Sequence, residues 1–200
     1  MKFFEIFGFP GAGKSTFRKK FIIKNKIFSL GEIFFRDIFA DSYKYNFLFY
    51  KFLYFFNKKK FYDLMFQNYQ SKKNKFINNI KKKINLNVRK FEIKNKNVFK
   101  SYNDLIKLTL YSNSRKKRNI DRFRYFVAIY NYVYNKYKNS NLIILQDEAF
   151  FQKIFLNYKF NNKKLFNSID HYLNYIPKAD KIIFVNEKIE RCIERLKKRK

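Results

Sequence analysis

The chain has 200 residues, 46% of them hydrophobic, a single cysteine and a formal net charge of +31. That length suits one globular domain, and that share of apolar side chains excludes wholesale disorder. The lone cysteine excludes an intrachain disulfide and a cysteine-based metal cluster, while the charge makes nucleic acid or another polyanion a candidate partner.

The charge has a second possible source. Phe (28) and Tyr (16) are abundant, Trp is absent, and Lys and Asn are plentiful. These residues and Ile share codons rich in A and T, so a low-GC gene would also load a solvated surface with lysine. The third-position base content of the gene separates the two, since a GC-rich gene would leave only the polyanion account. No RRM, KH or zinc-finger spacing occurs. The opening MKFFEIFGFPGAGK is not a signal peptide, because its apolar run is short and a glycine-rich turn follows instead of a cleavage site. The most apolar later run, Phe47 to Phe56, carries Lys51 and falls well short of the roughly 20 residues a spanning helix needs. The expectation is a cytoplasmic protein with no transmembrane segment, held to polyanions or anionic membrane surfaces by charge alone.

In chain order, Lys2 to Phe7 reads as a buried strand that ends at Gly8. Lys14 to about Asn25 reads as helix, and Lys26 to Leu30 as a second short strand cut off by Gly31. From Glu32 to about Asn139 there is no Pro and no Gly, so this middle is predicted helical, with breaks at Asn57 to Lys60 and Asn85 to Lys90. Its clearest helix is Ile120 to Tyr137, where Ile120, Phe123, Val127, Tyr130 and Tyr134 form one apolar face suited to core packing. Leu142 to Gln146 is a third strand, ending in Asp147 and Glu148. Phe150 to Tyr158 and Leu165 to Tyr175 are helical, and Pro177 follows. Lys181 to Val185 is a fourth strand and Glu187 to Lys200 a charged helix. Strands alternating with helices predict a single α/β domain: a parallel sheet of about four strands flanked by helices, with a helical substrate region at about 32–140. Val88 to Ile93 is where a missed fifth strand would fall.

Only four glycines occur in the chain, and Gly8, Gly11 and Gly13 crowd into one turn. Gly8-Phe9-Pro10-Gly11-Ala12-Gly13-Lys14-Ser15 fits GxxxxGK[ST] at every fixed position, after a strand and before a helix. Glycines free the backbone N–H groups of Gly8 to Thr16, Ala12 among them, to converge on phosphate oxygens, and the helix N-terminus adds partial positive charge. Lys14 would reach the β- and γ-phosphates of ATP, Ser15 would ligate Mg²⁺, and Thr16 would contact the α-phosphate. Magnesium–nucleotide chemistry also needs a carboxylate at a neighbouring strand end, which Asp147 and Glu148 supply: one for the metal, with Asp147 ahead, and one to accept a proton. The plain alternative is an acidic helix N-terminus. Asp37 and Asp41 are lesser candidates for the base. On the last helix Arg191, Arg195 and Arg199 fall four apart, suited to a polyphosphate or, equally, to pairing with Glu187 along a surface helix. His171 and Cys192 read as packing or surface residues. Arg122 and Arg124 read as solvated, with an anionic substrate as the alternative.

The glycine-rich turn, the strand ending in acids and the segment ADKIIFVNEKIERCIERLKKR together resemble the P-loop nucleoside and nucleotide kinases, in which a similar strand and Glu-Arg…Arg segment leads into the lid. The resemblance covers three short segments near the two ends of the chain. It implies a transferable γ-phosphoryl group, Arg195 and Arg199 as lid arginines with Arg191 behind them, and an acceptor pocket built from the middle helices. Asp147-Glu148-Ala149 departs from the Asp-Arg or Glu-Arg-Ser of those kinases, which leaves the acceptor open. QDEAFFQ followed by YIPKAD is also similar to P-loop proteins of bacterial polysaccharide clusters. The expected function is a small-molecule or nucleotide kinase using ATP and Mg²⁺. The alternative is a nucleotide-binding ATPase without transferase activity, associated with nucleic acid through its basic surface. Kinases of this group have five parallel strands, so four strands and a chain ending at Lys200 predict weak purine discrimination and an incomplete lid, in a natural short form or a fragment.

Overall fold

The computed structural model describes residues 1–25, 27–43, 77–155 and 164–198. Their order is β1 (Lys2–Phe7), α1 (Lys14–Asn25), α2 (Leu30–Tyr43), α3 (residues 77–94), α4 (Lys96–Lys107), α5 (Asn113–Tyr137), β2 (Ile143–Asp147), α6 (Phe150–Phe155), α7 (Lys164–Tyr175), β3 (Lys181–Phe184) and α8 (Ile189–Lys197). The three strands form one parallel sheet in the order β2-β1-β3, with Ile6 opposite Asp147 on one side and Ile183 on the other. The protein is therefore mixed α/β, as its alternating pattern predicts.

Strand alternation sorts the side chains between two faces. Ile6 and Leu145 are buried with Ile27 on one face, where Phe17 and Phe21 of α1 cover them. Phe3 and Ile144 face the other way, into the larger core built from α2 to α7. Aromatic rings dominate that core: Phe123 stacks on Tyr102 with centroids 3.9 Å apart, and Phe150 meets Phe126 and Tyr130 edge-on at 4.9 Å. The apolar face expected on α5 is real for Phe123, Val127 and Tyr130, which are buried, while Tyr134 is largely exposed and stacks on Tyr130.

Three expectations are corrected. Among the described residues the sheet has three strands, not four: Lys26 to Leu30 contributes a single bridge, in which the Phe28 amide donates to Ile143 O (3.1 Å) and the Leu145 amide to Phe28 O (2.9 Å). The chain turns one residue later because Ser29 and Glu32 form a capping box for α2. The Ser29 amide donates to Glu32 Oε2 (2.9 Å) and the Glu32 amide to Ser29 Oγ (3.2 Å). Asn85 to Lys90 is neither a break nor next to a strand, since it lies within α3, and the chain leaves helix at Asn95 and around residues 109–112 instead. The last helix begins at Ile189, not Glu187. Phe47 to Phe56, Asn57 to Lys60, the stretch after Phe155 as far as Asn162 and Arg199 lie outside the described residues. No helix among the described residues is long and apolar enough to cross a membrane.

Candidate active site

The glycine-rich turn joins β1 to α1. Gly11 and Gly13 have φ values of 86° and 90°, a region that costs a side chain energy. Gly11 is also pressed against the last helix: a Cβ there would lie 2.5 Å from Cys192 O. The loop closes on itself through the Ala12 amide to Phe9 O (3.1 Å), and Ala12 is buried beneath it. Lys14 folds back over the turn and donates to Gly8 O (2.6 Å) and Phe9 O (3.0 Å). Ser15 and Thr16 stand exposed in the first turn of α1, where backbone N–H groups have no intrahelical acceptor. Partial burial lowers the Lys14 pKa, and the Glu148 and Asp147 carboxylates oppose that shift. The ammonium and both predicted acids are thus close enough to act on one another.

Asp147 closes β2 on the α1 face, and there Arg18 meets its Oδ1 at 2.5 Å. Arg18 is four residues beyond Lys14, one helical turn along the same side of α1. That spacing is legible in the sequence once Lys14 is singled out. Glu148 follows with φ 55°, in the left-handed region that a residue with a Cβ occupies only when its surroundings hold it there. Just beyond it runs a tie between β1 and α6. The carboxylate of Glu5, 2% exposed, accepts from the Gln152 amide (2.7 Å) and the Phe151 amide (3.1 Å), and the Gln152 side chain donates to Gly8 O (3.1 Å). Burial raises the Glu5 pKa to about 7 against the pull of those amides and of Lys153. A lone acid in the apolar run KFFEIF is the only sequence signal for this tie; Gln152 and Lys153 carry none.

Asp147 and Glu148 open onto a cleft of about 1040 Å³ whose far wall is the first half of α5. Arg122 lines this cleft, whereas Arg124 lies outside it and pairs with Glu92 at 3.3 Å. The two lesser acids are not part of it. Asp37 is fully buried between α2 and α5, accepting from the Tyr137 hydroxyl (2.8 Å) and pairing with Lys136 (2.9 Å) and Arg36 (3.3 Å). Burial and the Asp37 carboxylate raise the Tyr137 pKa to about 12, so the hydroxyl remains a donor. Asp41 pairs with Lys83 at 3.5 Å. Neither is placed to serve as a base at the cleft.

On the other side of the turn, Arg195 donates to Gly11 O (3.2 Å) and pairs with Glu187 (2.8 Å). Arg191 reaches only Glu187, at 3.7 Å. The pairing with Glu187 is present for both arginines, and Arg195 also touches the turn. Cys192 is the one buried residue of α8, and His171 is exposed with its ring against Tyr175. No three His, Cys, Asp or Glu side chains converge among the described residues. A magnesium ion that takes most of its ligands from phosphate and water needs no such cage, and the Ser15 hydroxyl with the second oxygen of Asp147 fits that sparse demand.

No protein-family model matches the chain, and comparison with curated proteins and with solved structures likewise found no match.

Proposed function

We propose that the protein is a phosphotransferase that moves the γ-phosphoryl group of ATP to a small acceptor bound in the cleft. One observation carries this reading. A strand–turn–helix with two positive-φ glycines and a lysine folded over it lies beside a parallel strand that ends, in register, at Asp147, with Glu148 next in the chain.

ATP lies along Gly8 to Thr16, its phosphates held by loop amides, the N-terminus of α1 and Lys14. Ser15 and Asp147 would hold Mg²⁺, which would neutralise phosphate charge. An acceptor oxygen attacks the γ-phosphorus from the cleft, the bond to the β-phosphate oxygen breaks, and ADP leaves with that electron pair. Where the acceptor is a hydroxyl, its proton passes to Glu148. Lys14 opposes the charge that moves onto the leaving oxygen, and Arg195 covers the transferring group from the last helix, a role the reading also gives to Arg199.

Titration with ATP and Mg²⁺ in a calorimeter tests the reading, alongside Lys14→Ala. The substitution should leave the fold intact, weaken triphosphate binding and lower turnover on the order of 10²–10³-fold, the usual cost of losing one preorganised electrostatic group. Unchanged affinity and turnover would overturn the assignment of the loop. Labelled ATP offered with small acceptors should give a phosphorylated product. Release of inorganic phosphate alone, faster with RNA or DNA present, would support the ATPase alternative instead.

A further inference from the structure

The walls of the cleft are chemically unequal. Asp147 and Glu148 line it at the end of β2, and the first half of α5 contributes Arg115, Arg118 and Arg122 together with one acid, Asp121. Spacings of three and four residues put these arginines on one side of the helix. Arg115 is already engaged, its guanidinium stacked 3.9 Å over the Tyr111 ring. Arg118 and Arg122 have no ion-pair or hydrogen-bond partner among the described residues, although both lie in the cleft wall. Lys153 reaches the same space from α6; burial lowers its pKa, the Glu148 carboxylate opposes that shift, and Arg122 adds to it. Phe126, Ile129 and Phe35 add apolar surface to the same lining. The volume is ample for a small organic ligand.

Like charges held together in a shared cleft repel, and an anion relieves that repulsion. Guanidinium groups suit a phosphate because they offer planar paired donors and keep their charge at any working pH. A neutral acceptor would leave Arg118 and Arg122 in the lining with Asp121 as the one acid of their own helix there. We infer that the acceptor carries a phosphate monoester, anchored by Arg118 and Arg122, with its organic body on the Phe126 surface and its reacting end toward Asp147 and Glu148. This rests on the phosphotransferase reading for the reacting end but not for the anion site itself.

Calorimetry on the whole chain tests the site without turnover. ADP first saturates the loop, and that titration reports separately on the loop. Matched probes follow at physiological ionic strength: ribose with ribose 5-phosphate, and thymidine with thymidine monophosphate. At least one monophosphate should bind more tightly than its neutral partner. In Arg118→Gln/Arg122→Gln its affinity should fall about tenfold per arginine, the worth of a charge-assisted hydrogen bond, while ADP affinity is retained. Lys117→Gln/Lys138→Gln removes the same charge outside the cleft and should leave binding unchanged. The inference is overturned if neutral probes bind as well as their phosphates, if the arginine variant binds normally, or if the control variant loses as much. Each of those outcomes leaves the ADP titration, and with it the loop assignment, standing on its own result.

Discussion

The two flanks of β1 are built differently. On the β2 side, the neighbouring strand is half-buried to buried along its length, Phe28 adds a bridge beyond it, and Glu5, Gln152 and Arg18 tie the strand ends to α6 and α1. On the β3 side the strand is mostly exposed, with Ile182 and Phe184 each 51% accessible, and α8 buries only Cys192. Packed side chains interlock and resist displacement, whereas exposed ones move at little cost. The acids are therefore held to a fixed geometry, and the arginine-bearing helix rests on the turn by one hydrogen bond and the close approach of Gly11 to Cys192. Under the proposed phosphotransferase function, chemistry that needs positioning would fall to the first flank and closing over nucleotide to the second.

The largest test of that contrast is Asp147→Asn. It keeps the shape of the residue but removes the charge that pairs with Arg18 and, under the proposed function, would hold metal, so turnover should fall on the order of 10²–10³-fold while nucleotide affinity changes little. Glu148→Gln should cost less. A crippling Glu148→Gln beside a silent Asp147→Asn, in the same single-turnover assay, would reverse the ranking of the two acids.

Next in size is the pH response of the tie through Glu5. Its pKa is raised from 4.5 to about 7 in the folded protein, so between those values the folded state binds the extra proton. Stability contributed by Glu5 is thus fully present at low pH and is lost as pH rises to about 7, with a total effect of order 3 kcal/mol. Denaturant melts at several pH values should show this decline, and Glu5→Gln should flatten it. A wild-type profile flat between pH 4.5 and 7 would mean that Glu5 is not the titrating group.

Much of the first flank is legible in the sequence. The GxxxxGK[ST] spacing marks the turn, and the apolar runs mark β1, β2 and β3 to within a residue or so. What escapes is tertiary. KIFSL has strand composition, but the Ser29–Glu32 capping box commits the chain to α2 after one bridge; S-x-x-E was there to be read and was outweighed by the apolar run. Asn-rich stretches suggest breaks, yet Asn87 is buried within α3, where its side chain donates to Lys83 O at 2.8 Å and its Oδ1 accepts from Asn131 at 3.0 Å. Composition cannot distinguish an asparagine that ends a helix from one that links two. Asp37 looks like a base candidate by its position after a strand-like run, but its partners Lys136 and Tyr137 lie a hundred residues further along the chain. Arg122 and Arg124 are equivalent in sequence, and only the packing of α3 against α5 gives one to Glu92 and the other to the cleft.

The smallest expected effect concerns the second flank. Arg195 links α8 to the turn through Gly11 O and to Glu187, but its side chain is largely exposed. Exposed ion pairs contribute little to stability, because solvent screens them and two long side chains must be ordered to form them. Arg195→Gln should therefore shift the unfolding midpoint of the free protein by under about 0.5 kcal/mol. With ATP and Mg²⁺ present the comparison should change. In the wild type Arg195 can exchange the Gly11 carbonyl for phosphate oxygens, which offer a charged acceptor in place of a neutral one. The variant has no charge to make that exchange, so ligand should raise its midpoint less than it raises that of the wild type. Thermal melts of both proteins, with and without nucleotide, measure the difference directly. A large loss in the free protein would show that α8 is as firmly built in as β2. Equal stabilisation of both proteins by ATP would show that Arg195 does not reach the phosphates, leaving it as a surface partner of Glu187.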